Sequence, residues 1–83
     1  MSRVLVSVFV PVVNREMDVF IPYEVPLGRT TGLLRNLLGD DPLTGGEAVR
    51  SAVLCDRGTG AILNPELSPQ EAGLTNASQF LFL

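Results

Sequence analysis

The sequence contains no histidine, no lysine and no tryptophan, and only one cysteine, Cys55. Without histidine or lysine, the side chains that most often move protons near neutral pH are missing. Cys55 alone permits no internal disulfide, which agrees with a reducing compartment. It also has no imidazole to activate it, so a small buried residue of a strand is the reading preferred over a nucleophile. No long hydrophobic run exists: the longest, residues 4–13, is broken by Ser7 and Pro11 and is too short to span a bilayer. It lacks the small-residue cleavage site of a secretory signal. A cytoplasmic chain that does not insert into membranes is expected. Six arginines stand singly against nine acidic residues, for a net charge of −3. A nucleic-acid partner needs a clustered basic face, so none is expected. Asp40, Asp41 and Asp56 fall in different loops without the spacing of a calcium loop, and Arg57–Gly60 (RGTG) lacks the lysine and following helix of a phosphate loop. No metal, no cofactor and no enzymatic activity are expected.

What the sequence does contain fits one domain over residues 1–83, which buries about 60–65% of its unfolded surface. Arg3 to Val10 (RVLVSVFV) reads as a strand with Val4, Val6, Val8 and Val10 on its core face. A turn follows at Pro11–Glu16, with Asn14 at positive φ. Met17 to Pro22 returns as a second strand with Val19 and Ile21 inward and Asp18 and Phe20 outward. Val25 to Gly39 (VPLGRTTGLLRNLLG) is the one substantial helix. Leu27, Thr31, Leu34 and Leu38 repeat at its period, and Leu33 and Leu37 are expected to widen that stripe. Pro26 suits the first helical position and Gly39 a left-handed stop. Gly28 and Gly32 each weaken the helix by about 0.8–1 kcal/mol relative to alanine, so it needs a sheet to hold it.

Beyond a polar loop at Asp40–Glu47, Val49 to Asp56 is expected as a third strand and Ala61 to Asn64 as a short fourth. Ser68-Pro69-Gln70-Glu71 has the form of a capping box, ended by Gly73. Gln79 to Leu83 (QFLFL) closes the chain as a strand. The first and last strands are the most apolar, so they should be central and adjacent. The layout is α+β, with one main helix packed across one face of a mixed sheet of four to five strands. That is the β-grasp arrangement.

The paired opening strands, the helix after Pro22-Tyr23-Glu24-Val25-Pro26 and the ending LSPQEAGLTNASQFLFL resemble ubiquitin-like proteins in order and spacing. Leu67-Ser68, Gly73-Leu74 and Asn76 stand where such proteins close with leucine-serine, glycine-isoleucine and asparagine-glycine. More narrowly, PVVNREMDVFIPYEVPLG, the Leu-rich helix and Leu38-Gly39-Asp40 resemble the YukD/EsaB-like family of type VII secretion systems. The chain is also similar to the ubiquitin-like domain that opens the EccD membrane components. The resemblance implies a non-conjugating interaction module of a bacterial type VII apparatus, docking on cytosolic parts of its membrane components or on itself. Two alternatives stay open: an excised N-terminal domain of an EccD-like component, and a carrier or modifier whose Gly-Gly tail is absent. The sequence stops at Leu83 without that tail, so conjugation and sulfur transfer are not expected.

The candidate site is the sheet face turned from the core. If the valines of the first strand point inward, Leu5 and Phe20 point outward, and alternation suggests the same for Leu54, Leu81 and Leu83. A contiguous apolar patch there marks an interaction surface, and ubiquitin-like folds characteristically use this face. A weaker candidate is the helix face of Gly28 and Gly32, which offers either close packing or a groove for a partner's backbone.

Overall fold

The computed structural model describes residues 2–83. β1 (Arg3–Val10) and β2 (Arg15–Pro22) form an antiparallel hairpin in which Leu5 faces Phe20 and Val6 faces Val19. A 3-10 turn at Pro11–Val13 joins them, and Asn14 closes it with φ of 51°. α1 spans Leu27–Gly39, followed by two 3-10 turns, Pro42–Thr44 and Gly46–Val49. β3 (Leu54–Asp56) and β4 (Ser78–Phe82) complete the sheet. The strand order is β2-β1-β4-β3, with β4 parallel to β1 and antiparallel to β3. The most apolar strands are indeed central and adjacent, and the helix lies on the valine face.

The core follows from that alternation. Val4, Val6, Val8 and Val10 of β1, Ile21 of β2 and Phe80 and Phe82 of β4 are all buried with Leu27, Leu34 and Leu38 of the helix. The helix takes its hold from backbone rather than from a side-chain cap. Pro26 is the N-cap residue, one position ahead of the first helical turn where it was expected. The amides of Leu27 and Gly28 donate to the carbonyls of Leu67 and Pro65, both at 2.8 Å. Those two bonds satisfy free donors that every helix start leaves. They require close approach: a Cβ on Gly28 would lie 3.1 Å from both Cβ and O of Pro65.

Four further expectations change. Leu33 and Leu37 do not widen the core stripe; they are 62% and 66% exposed. Leu33 precedes Leu34 by one residue and so lies about 100° round the helix from it, while the buried flank is filled by Thr30 and Thr31. Gly39 is not a left-handed stop. It is buried in the last helical turn, with Cγ of Arg50 3.1 Å from where a Cβ would stand, and Arg50 donates to its carbonyl. β3 begins at Leu54 rather than Val49, because Gly46–Val49 coils into a 3-10 turn that buries Val49. The expected strand at Ala61–Asn64 contracts to a single bridge between Ile62 and Cys55.

The capping box forms as read. The Ser68 amide donates to Oε1 of Glu71 at 3.0 Å and the Glu71 amide to Oγ of Ser68 at 3.2 Å. Hydrogen bonding from the Ser68 backbone first, and its side chain second, holds the Glu71 carboxyl below its usual 4.5.

Candidate functional site

The outer face of the sheet is built by the odd residues of β1 and β4 and the even residues of β2. Register brings Leu5 directly opposite Phe20. Leu5 is half-buried and Phe20 is 59% exposed. The guanidinium of Arg3 lies over the Phe20 ring, 4.6 Å from its centroid. Stacking of this kind contributes about 0.5–1 kcal/mol at an exposed site and leaves the ring edge free.

A second apolar group forms at the other end of the same face. Phe9 pairs with Leu81 across β1 and β4, and Leu81 pairs with Cys55 across β4 and β3. Leu83 follows two residues later on the same side, 57% exposed. Its amide and carbonyl exchange bonds with Val53 at 3.1 and 2.8 Å, so the strand end is fixed although its side chain is not covered. Arg57 reaches over Phe9, 4.9 Å from the ring centroid, and pairs with the carboxylate of Glu16.

The two groups do not merge. Between them run Ser7, with Asp18 opposite on β2 and Gln79 opposite on β4. The Ser7 hydroxyl is excluded from solvent and has no hydrogen-bond partner among the described residues. The expected contiguous patch is therefore two apolar islands, Leu5–Phe20 and Phe9–Leu81–Leu83, parted by a polar row.

Leu54 belongs to neither. It is 3% exposed and faces Phe82 on the core side of the sheet. Alternation in β3 is set by the pairing with β4, which puts Cys55 beside Leu81 and turns Leu54 inward; a shift of one residue exchanges the faces. Cys55 is buried, with Leu81 on one side and Ile62 on the other. Phe9, Arg3, Arg57 and Glu16 join the outer face without having been singled out as partner-binding residues. Phe9 and Arg3 were legible from the alternation of β1, whereas Arg57 reaches Phe9 from a turn that no local pattern connects to it.

The glycines of the helix separate as well. Gly28 is held against Pro65 beside a cleft of about 220 Å³ whose walls include Leu27, Thr31, Arg35, Leu54 and Leu63. Its close approach is to the Asn64–Leu67 loop rather than to the sheet. Gly32 has nothing within 4 Å of where a Cβ would stand, so no packing requires it to be glycine. Asp56, Asp41 and Ser68 all have structural duties. Asp56 accepts from the amides of Gly58 and Thr59, Asp41 accepts from that of Leu43, and Ser68 caps its turn. No helix among the described residues is long and apolar enough to cross a membrane.

No protein-family model matches the sequence, and no curated protein matches it. The fold itself has close counterparts among solved structures. The ubiquitin-like domain of EccD5 from Mycobacterium xenopi superposes with a TM-score of 0.81 at 15% identity, over 100% of this chain and 94% of that domain. The ubiquitin-like domain of the type VII secretion protein EccD1 from Mycobacterium tuberculosis gives 0.68 at 22% identity, over 100% and 99%. A chain of the MycP5-free ESX-5 inner membrane complex gives 0.76 at 16% identity; all of this chain aligns with 21% of that one. The fold is a ubiquitin-like β-grasp, similar to that of the EccD ubiquitin-like domains.

Proposed function

We propose that this chain is a non-enzymatic ubiquitin-like interaction module of a bacterial type VII secretion apparatus, acting in the cytoplasm. The observation that supports this most is the likeness to the EccD5 ubiquitin-like domain over the whole chain. The sheet supplies the means. The Leu5–Phe20 and Phe9–Leu81–Leu83 islands dock on the cytosolic part of a membrane component, and the Ser7–Asp18–Gln79 row between them fixes the register of docking. Arg3 and Arg57, each stacked on a phenylalanine, present guanidinium donors at opposite ends of the face for carboxylates of the partner.

Of the readings within that class, the domain of an EccD-like component is favoured over a free-standing YukD/EsaB-like protein. What favours it is likeness to one portion of a chain of an assembled inner membrane complex. The test is purification of the type VII membrane complex from cells expressing the chain with an affinity tag at its native locus. Co-purification of the complex in fixed ratio is the expected result. A tagged chain that elutes free of every secretion component would overturn the reading.

A further inference from the structure

The cleft beside Gly28 lies on the helix side of the sheet, away from the outer face. Its walls are hydrocarbon from Leu27 of the helix, Leu54 of β3, and Leu63 and Pro65 of the loop that follows. The polar groups of those walls are mostly spent within the chain. The Thr31 hydroxyl donates to the Leu27 carbonyl at 2.8 Å, and the Gly28 amide donates to that of Pro65. Arg35 is the exception. Its Nε donates to the Ala52 carbonyl at 2.7 Å, which fixes the half-buried guanidinium at the rim. Its two Nη groups have no acceptor among the described residues. Glu66, next to Pro65, is exposed and forms no ion pair with it.

The backbone at the cleft mouth is open as well. Ile62 bridges Cys55, and the flanking bonds run from the Asp56 amide to Ala61 and from the Leu63 amide to Leu54. In that antiparallel pattern the amide and carbonyl of Ile62 itself point away from β3. Neither has a partner among the described residues. An extended chain can exchange both bonds with it. Ile62 shares the face of Cys55, so the residues on either side of the one bonded to Ile62 turn toward the helix and the cleft.

We propose that this cleft takes an extended segment of a partner protein in which an apolar residue and a carboxylate stand two positions apart. The apolar side chain fills the cleft, the carboxylate meets the Arg35 fork, and the residue between them pairs with Ile62. Size favours one side chain over a small molecule. The cleft holds about 220 Å³, below the roughly 300–1,000 Å³ of ligand pockets but above the roughly 150 Å³ that admits benzene. Its walls carry one cation and no acid, so an acidic segment is preferred over a basic one. The site is separate from the outer sheet face and does not rest on the docking proposed above.

The test is an NMR titration of the isotope-labelled chain with acetyl-Glu-Thr-Phe-Thr-Glu-amide, up to about 10 mM. The probe is symmetric, so either strand direction places the Phe and one Glu on the cleft side. Saturable shifts should centre on Gly28, Thr31, Arg35, Val53 and Leu63 and leave Leu5 and Phe20 unmoved. The Ile62 amide should gain protection from hydrogen exchange. Gln in place of both Glu should weaken binding at least about fivefold, and Ala in place of Phe should abolish it. Arg35→Glu, shown folded by circular dichroism, should lose the acidic peptide and take acetyl-Lys-Thr-Phe-Thr-Lys-amide instead. Loss of the Ala52 bond alone would not produce that exchange, and the Gln peptide decides the charge contact should the variant fail to fold. No saturable shift at the cleft, shifts on the outer face instead, or equal binding of the Glu and Gln peptides would overturn the proposal. So would 3-phenylpropionate binding at least as tightly as the peptide, since that assigns the cleft to a small carboxylic acid.

Discussion

The two faces of the sheet are made from the same strands, residue by residue in alternation, yet they are composed differently. On the inner face successive rows are hydrocarbon: Val4 with Ile21, Val6 with Val19, Val8 with Phe80, Leu54 with Phe82. On the outer face hydrocarbon rows alternate with a polar one, Ser7 with Asp18 and Gln79, and two of the phenylalanines carry arginines. A face that only holds a helix has no need of specificity, so shape and apolar area suffice. A face that selects a partner has to punish mismatch, and polar groups within an apolar field do that. The inner face therefore sets stability, and under the function proposed above the outer face sets recognition.

The sharpest way to break this division is to place the same charge on each face. Leu54→Asp buries an unpaired carboxylate opposite Phe82 and should destabilise the chain by more than about 4 kcal/mol in urea unfolding, or prevent folding. A loss of under about 1 kcal/mol would mean that Leu54 is not a core residue. Away from the sheet, Ser68→Ala removes the cap from a buried serine and should lower stability by about 1 kcal/mol. That loss should be smaller in acid. The folded-state carboxyl of Glu71 titrates below its usual 4.5, so its share of the box is complete above that pH and disappears as pH falls through the folded value. Unfolding curves of wild type and Ser68→Ala at neutral pH and in strong acid check the sign.

Smaller effects sharpen the comparison. Ala77 holds φ of 72°, a left-handed conformation that favours glycine, while its amide donates to the Leu5 carbonyl at the edge of the outer face. Ala77→Gly relieves that strain and should raise stability by up to about 1 kcal/mol, read as a shift of the urea midpoint at constant slope. Phe20→Asp should change stability least, within about 0.5 kcal/mol, and its proximity to Arg3 offsets part of the lost stacking. A large destabilisation there would show the outer face to be a second core.

The inner face was legible because β1 declares itself: four valines at alternate positions admit only one register. The hairpin turn with Asn14 and the capping box of Ser68 and Glu71 were legible for the same reason, since each is decided by neighbours in sequence. The segment from Asp40 to Asn64 was not. Val49, Ser51 and Val53 alternate as a strand would, but the chain there must travel from the end of α1 to the sheet edge. It does so in a 3-10 turn pinned by Arg50 to the Gly39 carbonyl and by Arg35 to that of Ala52. Counting alternation through that stretch turned Leu54 outward. The outer face was half legible. Leu5, Phe20, Leu81 and Leu83 stand on it as read and the hairpin register sets Glu16 opposite Phe9, whereas Arg57 is brought to them by tertiary structure alone, 41 residues from Glu16 in sequence. The solvent exposure of Leu33 and Leu37 was hidden too, because an apolar residue on a helix announces a preference for burial and not what will bury it.

The measurement that bears most directly on the division of the two faces is retention of a folded Phe20→Asp/Leu83→Asp variant by the type VII membrane complex, against wild type at equal expression. Both side chains are exposed, so the fold has little to lose. The account predicts a variant with wild-type urea unfolding that no longer co-purifies with the complex. A variant retained as well as wild type would contradict it and remove the outer face as the docking surface.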